Sequence, residues 1–191
     1  MFGEIATRSV LNSSPMFKDY FQNLVSLWLR PGRFFERNFS PSGEKESVRF
    51  AVITGILLAL ELGVSEALAG GSLGIVALVT GITLLAMPFF VTLWIYLWAA
   101  FMKLCAYLLG ESYPLEPVRQ VVGFSVAGFI PLGFGIGLGK WLALISFPFQ
   151  VLGIEKALKC SRWTALVYVG LPFSMCAVLA FFFILMFKVF K

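Results

Sequence analysis

An all-α, polytopic membrane helix bundle of about five spans, kinked by prolines and preceded by an amphipathic interfacial helix, is the fold this sequence predicts. Its 191 residues are 59% hydrophobic and 13% charged, whereas a soluble domain is about half apolar and about a quarter charged. Mean hydropathy is +0.89, and the apolar residues gather in runs long enough to cross a bilayer, which takes about 20 residues per helix. Eighteen glycines accompany them, and glycine is more frequent in spanning helices than in soluble ones. A water-soluble enzyme is thereby excluded.

Residues 1–49 are the one stretch of ordinary polarity and read as a cytoplasmic N-terminal segment. The first fifteen residues hold no apolar core of signal-peptide length, so no cleavage is expected. Phe17, Tyr20, Phe21, Leu24 and Trp28 recur at helical spacing, with Lys18, Asp19, Gln22 and Asn23 on the other face. That pattern predicts an amphipathic helix over 17–28, stopped by Arg30-Pro31-Gly32. Arg33-Phe34-Phe35-Glu36-Arg37 then alternates bases with paired rings. Such a strip suits a headgroup layer, with rings buried and guanidinium groups on phosphates. It equally suits a helix packed beneath the bundle.

From residue 50 the chain is membrane-like, with spans expected at 50–69, 86–109, 119–138, 140–158 and 164–187. The uncharged run from Ala67 to Met102 is too long for one crossing and short for two. We therefore read 74–85 as an outer extension or re-entrant lead into the second span. Each of the last four spans carries a proline, Pro88, Pro131, Pro148 or Pro172, which predicts kinks. Gly133, Gly135, Gly137 and Gly139 form two overlapping G-x-x-x-G pairs, a helix-packing signature.

Charge placement sets orientation. With five spans and the N-terminus inside, twelve of the fifteen bases are cytoplasmic, against ten for six spans. The tendency of Lys and Arg to stay inside favours five and an N-terminus in the cytoplasm of a cell's inner (plasma) membrane. Lys140, Trp141, Lys188 and Lys191 read as interfacial anchors on the other side. The net charge of +5 forms no compact basic run, so no nucleic-acid partner is expected. Cys105, Cys160 and Cys176 show no ligand spacing and read as buried thiols.

Several short motifs together resemble the Yip-domain family of five-span membrane proteins, related to Ypt/Rab-interacting proteins. They are Leu29-Arg30-Pro31-Gly32-Arg33-Phe34-Phe35 before the first span, Leu109-Gly110-Glu111-Ser112-Tyr113-Pro114 after the second, and Val122-Gly123-Phe124-Ser125 through Ile130-Pro131 in the third. Gly153-Ile154-Glu155-Lys156-Ala157, Trp163-Thr164-Ala165-Leu166 and Leu171-Pro172 continue the pattern, so the resemblance covers about residues 27 to 185. It implies a Yip-type domain over 50–191 and a bacterial-type member, because the "DLYGP" segment of eukaryotic members is absent. No enzymatic activity is implied.

Within the membrane Glu61 is the costly residue. About 12 residues into the first span, it lies near ~18 Å of depth at 1.5 Å per residue, the bilayer midplane. An acidic side chain there costs at least ~2.5–3.5 kcal/mol, so a polar site with Gln150, Ser125 and Ser174 is expected, with Gln150 or a serine as hydrogen-bond partner. At the surface, Trp28, Arg30, Arg33, Phe34, Phe35 and Arg37 are the expected membrane or partner contacts. There is no His in the chain and no phosphate loop or nucleophile–base pair. Neither catalysis nor a metal or cofactor site is expected. Two functions follow: a scaffold that organises the membrane or binds a partner (the bilayer, another membrane protein or a second copy), or a small transporter, channel or lipid-handling protein working through Glu61.

Overall fold

The computed structural model describes residues 15–39, 43–132 and 145–189, and every regular element among them is a helix. In order they are α1 (Pro15–Leu29), α2 (Pro31–Asn38), α3 (Gly43–Leu68), α4 (Leu73–Leu108), α5 (Leu115–Ser125), a 3-10 helix (Val126–Leu132), α6 (Ser146–Leu158) and α7 (Arg162–Val189). Three are long and apolar enough to cross a membrane: α3, α4 and the Arg162–Leu179 part of α7.

Local chemistry sets the boundaries. Pro15 and Pro31 open α1 and α2, where a missing N–H costs nothing. Arg30 before Pro31 is pushed off the helical region to φ −146°, ψ 61°, and this ends α1. Asn38 Nδ2 donates to the Phe34 carbonyl at 2.9 Å and closes α2. Between α3 and α4, Gly70 takes φ +88° while the Gly71 N–H bonds back to the Glu66 carbonyl. A side chain would be strained at that backbone angle. Ser161 opens α7, its Oγ accepting from the Thr164 N–H at 3.1 Å.

The expected lead-in at 74–85 is not a separate piece. Residues 73–108 form one continuous 36-residue helix with Pro88 inside it. A proline removes one helical hydrogen bond and bends a helix without having to end it. The surplus length is absorbed at the other end, where α4 runs on beyond the level at which α3 begins. Tyr96, twelve residues short of the helix end, already reaches Glu44 at the start of α3.

The expected third and fourth spans, 119–138 and 140–158, are described only in part, since residues 133–144 lie outside the described residues. Residues 115–132 are an 11-residue α-helix continued by a 7-residue 3-10 helix, and 146–158 form a 13-residue helix. Pro131 offers no N–H and crowds the preceding turn, and the helix tightens ahead of it. Pro148 is the third residue of α6, a position where the N–H is unpaired in any helix, so it removes no bond there. The glycine pairs Gly133–Gly139, with Lys140 and Trp141, lie outside the described residues, as does Lys191.

α5 and α6 form an antiparallel pair that approaches closely at glycines. A Cβ on Gly128 would stand 2.5 Å from the Ser146 nitrogen, and one on Gly153 2.6 Å from Val121 Cγ1. α3 lies alongside α5, with Gly123 against the Ser47 backbone and side chain. Two apolar clusters result. One joins Trp98, Met102 and Ala106 of α4 to Val118, Val121 and Val122 of α5, Ile154 of α6, and Ala165 and Val169 of α7. The other gathers Tyr20, Leu27, Phe34, Phe35, Phe50, Phe124 and Phe149. Outside the clusters α4 and α7 are bare: from Ser174 to Leu179 every residue of α7 is exposed, and α4 exposes Leu78, Leu85, Phe89 and Phe90. Apolar helix faces without protein cover are what a bilayer solvates.

Candidate functional site at one end of the bundle

The aromatic cluster fixes how α1 sits. Tyr20 lies 4.9 Å from the Phe50 ring and its hydroxyl is 3.1 Å from Thr54 Oγ1. Near the other end, Trp28 meets Phe149 edge-on at 5.6 Å. Tyr20 and Trp28 are about 12 Å apart along the helix, yet both touch one phenylalanine layer, in which Phe50 packs on Phe124 at 5.3 Å. α1 therefore crosses the bundle rather than running along it.

Three faces follow from 100° per residue. Tyr20, Leu24 and Leu27 face the bundle. Phe21, Val25 and Leu29 form an exposed apolar strip, 53%, 54% and 75% accessible. Asp19, Gln22 and Asn23 line a groove with Glu46 and Arg49 at the start of α3. A helix with a polar side and a bare apolar side, held across a bundle of membrane-length helices, has the profile of an interfacial helix. Burial pushes the Tyr20 phenol above its usual range, against the lowering by its bond to Thr54.

The expected surface strip divides. Arg30, Arg33 and Arg37 are exposed and Trp28 is half-buried. Phe34 and Phe35 are not available to a bilayer: they are 1% and 0% exposed. Phe34 stands edge-on to Phe124 at 4.9 Å, and Phe35 stacks on Phe39 at 5.9 Å. Their rings anchor α2 beneath the bundle because α5 and α6 offer a ready-made aromatic and glycine-lined socket there.

Around this end lies a polar belt that sequence spacing could not reveal. Arg119 Nη1 donates to Glu44 Oε1 at 2.8 Å, the Tyr96 hydroxyl donates to the same oxygen at 3.1 Å, and the guanidinium sits 5.1 Å above the Tyr96 ring. Lys156 Nζ meets Glu36 Oε1 at 2.7 Å, and Arg162 Nε meets Glu155 Oε2 at 2.9 Å. The first of these pairs holds the Glu36 carboxyl below the usual carboxylate range and lifts Lys156. Glu155 and Arg162 are only seven residues apart, but the partners of the other two pairs lie far apart in sequence and meet only once the helices pack.

The expected intramembrane set is not brought together by hydrogen bonds. Gln150 is buried, but its Oε1 accepts from Trp98 Nε1–H at 2.9 Å and its Nε2 donates to Ser146 Oγ at 3.4 Å. Ser125 Oγ donates to the Val121 carbonyl of its own helix at 2.7 Å. Ser174 is exposed on α7. Glu61 is half-buried, and its Oε2 is buried with no hydrogen-bond partner among the described residues. Of the three thiols, all free, Cys105 is buried, Cys160 half-buried and Cys176 exposed on α7, so the expectation of three buried thiols is corrected at Cys176.

Compared with protein families, curated proteins and solved structures, the chain matches none.

Proposed function

We propose that this chain is a non-enzymatic, multi-pass protein of the inner (plasma) membrane that organises the bilayer surface and docks a membrane partner there. In this reading it has a Yip-type five-span domain and a cytoplasmic N-terminus. The observation that carries the reading is α1, clamped across the bundle with Phe21, Val25 and Leu29 bare on one side and polar groups on the other. A rigidly attached interfacial helix displaces headgroups in one leaflet at a fixed place relative to the spans. Arg30, Arg33 and Arg37 beside it add attraction to an anionic cytoplasmic leaflet, worth about 1 kcal/mol per base near the surface.

The test replaces the bare strip and leaves the core intact, because deleting the whole segment would also remove Phe34 and Phe35. The triple variant Phe21→Ser, Val25→Ser, Leu29→Ser is reconstituted in vesicles at rising protein-to-lipid ratio beside the unaltered protein. The unaltered protein should shrink or tubulate vesicles and retain its co-purifying partner, and the variant should do neither. Identical vesicle shapes and identical partners would end the scaffold reading.

A second reading, a small transporter, channel or lipid-handling protein, is favoured by Glu61, whose Oε2 is buried without a partner. A carboxyl so placed at membrane depth is costly unless it serves a passing ion or polar group. Glu61→Gln with unchanged flux through reconstituted vesicles would remove that support.

A further inference from the structure

The groove between α1 and α3 has a volume of about 500 Å³ and an uncommon charge pattern. Arg49 lines it together with two carboxylates, Asp19 and Glu46, and two amides, Gln22 and Asn23. All three charged side chains are exposed, and among the described residues none of the three makes an ion pair or a side-chain hydrogen bond. Phe50 and Ile53 form the opposite, apolar part of the wall. The groove thus grades from charged to apolar along α3, in the direction in which that helix enters its membrane-length apolar stretch.

Elsewhere at this end of the bundle, acids and bases on neighbouring helices are joined directly, Glu44 to Arg119 and Glu36 to Lys156. In the groove they stand open around a space. One cation and two anions around a cavity at an interface complement a ligand that carries both signs: a phosphate for Arg49 and an ammonium for the carboxylates. A primary ammonium adds three N–H donors for Asp19, Glu46 and the amide oxygens. A singly anionic headgroup would meet a net negative wall. We infer that the α1–α3 groove is a binding site for the headgroup of a zwitterionic aminophospholipid of the phosphatidylethanolamine type, with the phosphate on Arg49, the ammonium between Asp19 and Glu46, and the acyl chains leaving past Ile53.

This site rests on the proposed placement of α1 at the bilayer surface, because only there do headgroups stand level with the groove. Bound, the lipid would bridge α1 to α3 and make the hold of the interfacial helix depend on membrane composition.

The test uses the full chain in nanodiscs of phosphatidylethanolamine and phosphatidylglycerol in equal amounts, with lipids retained after mild extraction counted by native mass spectrometry. Phosphatidylethanolamine should be retained at least tenfold over phosphatidylglycerol. Arg49→Gln should lower the retention of both lipids, since both carry the phosphate. The double variant Asp19→Asn, Glu46→Gln should invert the preference toward phosphatidylglycerol, since the phosphate site remains and the repulsion is gone. Thermal unfolding midpoints within a few degrees of the unaltered protein establish that the variants fold. Equal retention of the two lipids, a preference for phosphatidylglycerol in the unaltered protein, retention untouched by Arg49→Gln, or a preference untouched by the double variant would overturn the assignment. If α1 is found at membrane depth while the lipid preference is absent, the headgroup site alone fails. If α1 is not at the membrane, the proposed function fails with it.

Discussion

Replacing Phe34 by alanine should release the N-terminal helices from the bundle while the membrane helices stay folded. Phe34 is 1% exposed, and its ring packs edge-on against Phe124 at 4.9 Å and against Phe35 at 5.4 Å. Truncating a buried phenylalanine costs about 3–5 kcal/mol, the removed ring and the cavity counted together. Each lost edge-on pair accounts for about 0.5–1.5 kcal/mol of it. At about 1.4 kcal/mol per factor of ten, a cost near the lower end corresponds to a more than hundredfold rise in the population of the open state. Hydrogen–deuterium exchange in nanodiscs reads it out, because the Phe34 amide bonds the Arg30 carbonyl at 3.0 Å and is protected only while α2 is formed. Phe34→Ala should speed exchange across 31–38 by about a hundredfold or more. Phe21→Ala, whose side chain is 53% exposed, should change it by less than about threefold. A change below about tenfold for Phe34→Ala, or equal changes for the two variants, would refute the idea that these rings hold α1 and α2 in place.

Four further outcomes are expected. Gly128→Ala forces a Cβ to within 2.5 Å of the Ser146 backbone, which cannot yield as a side-chain tip can, so it should lower the thermal midpoint in detergent; Gly81→Ala, with nothing within 4 Å of the added Cβ, should be neutral or stabilising by up to about 1 kcal/mol. Trp98→Phe leaves the buried Gln150 oxygen without its donor and should cost about 1–3 kcal/mol, part of it recovered in the double variant with Gln150→Leu, as a double-mutant cycle would read. Arg119→Ala strips the half-buried Glu44 carboxylate of its charged partner and should cost about 1.5–3 kcal/mol, measured by chemical unfolding in detergent. The carboxyl of Glu36 is lowered by Lys156, so its contribution to holding α2 on α6 is present above the ordinary carboxylate range and is lost as pH falls through the lowered value; exchange across 31–38 should rise below that point in the unaltered protein and be flat there in Glu36→Gln.

Much of this fold is written in local signals. The amphipathic spacing from Phe17 to Trp28 and the Arg30-Pro31 stop fix α1, observed at Pro15–Leu29, because periodicity and proline act within a few residues. α3 and α7 are legible for the same reason, as apolar runs of membrane length. The single helix Leu73–Leu108 was not. Proline weighs against helix in a sequence, yet packing of Val91, Ile95 and Trp98 into the bundle holds the helix across Pro88. The close approach of Gly128 to Ser146 is a contact between distant residues that no local signal announces.

The site was legible in part. Asp19, Gln22 and Asn23 stand out as the polar face of α1, but nothing near them in sequence announces Glu46 and Arg49 across the groove. The Phe34-Phe35 pair was equally consistent with lipid and with protein, and only the aromatic socket built by Phe124, Phe50 and Phe39 decides for protein. The sequence offers Gln150 as a partner for Glu61. Helix packing instead gives it to Trp98, fifty-two residues away.

Bilayer depth at two neighbouring positions of α1 tests the central claim most directly. Single nitroxide labels at Val25 and at Gln22 in nanodiscs, read by power-saturation EPR with oxygen and a water-soluble nickel complex, separate lipid from water. The expected result is an oxygen-rich, nickel-poor environment at Val25 and the reverse at Gln22, the signature of a helix lying in the interface with its bare strip toward the acyl chains. Equal access to the nickel complex at both positions would contradict it, placing α1 in water and removing the basis for a membrane-organising helix.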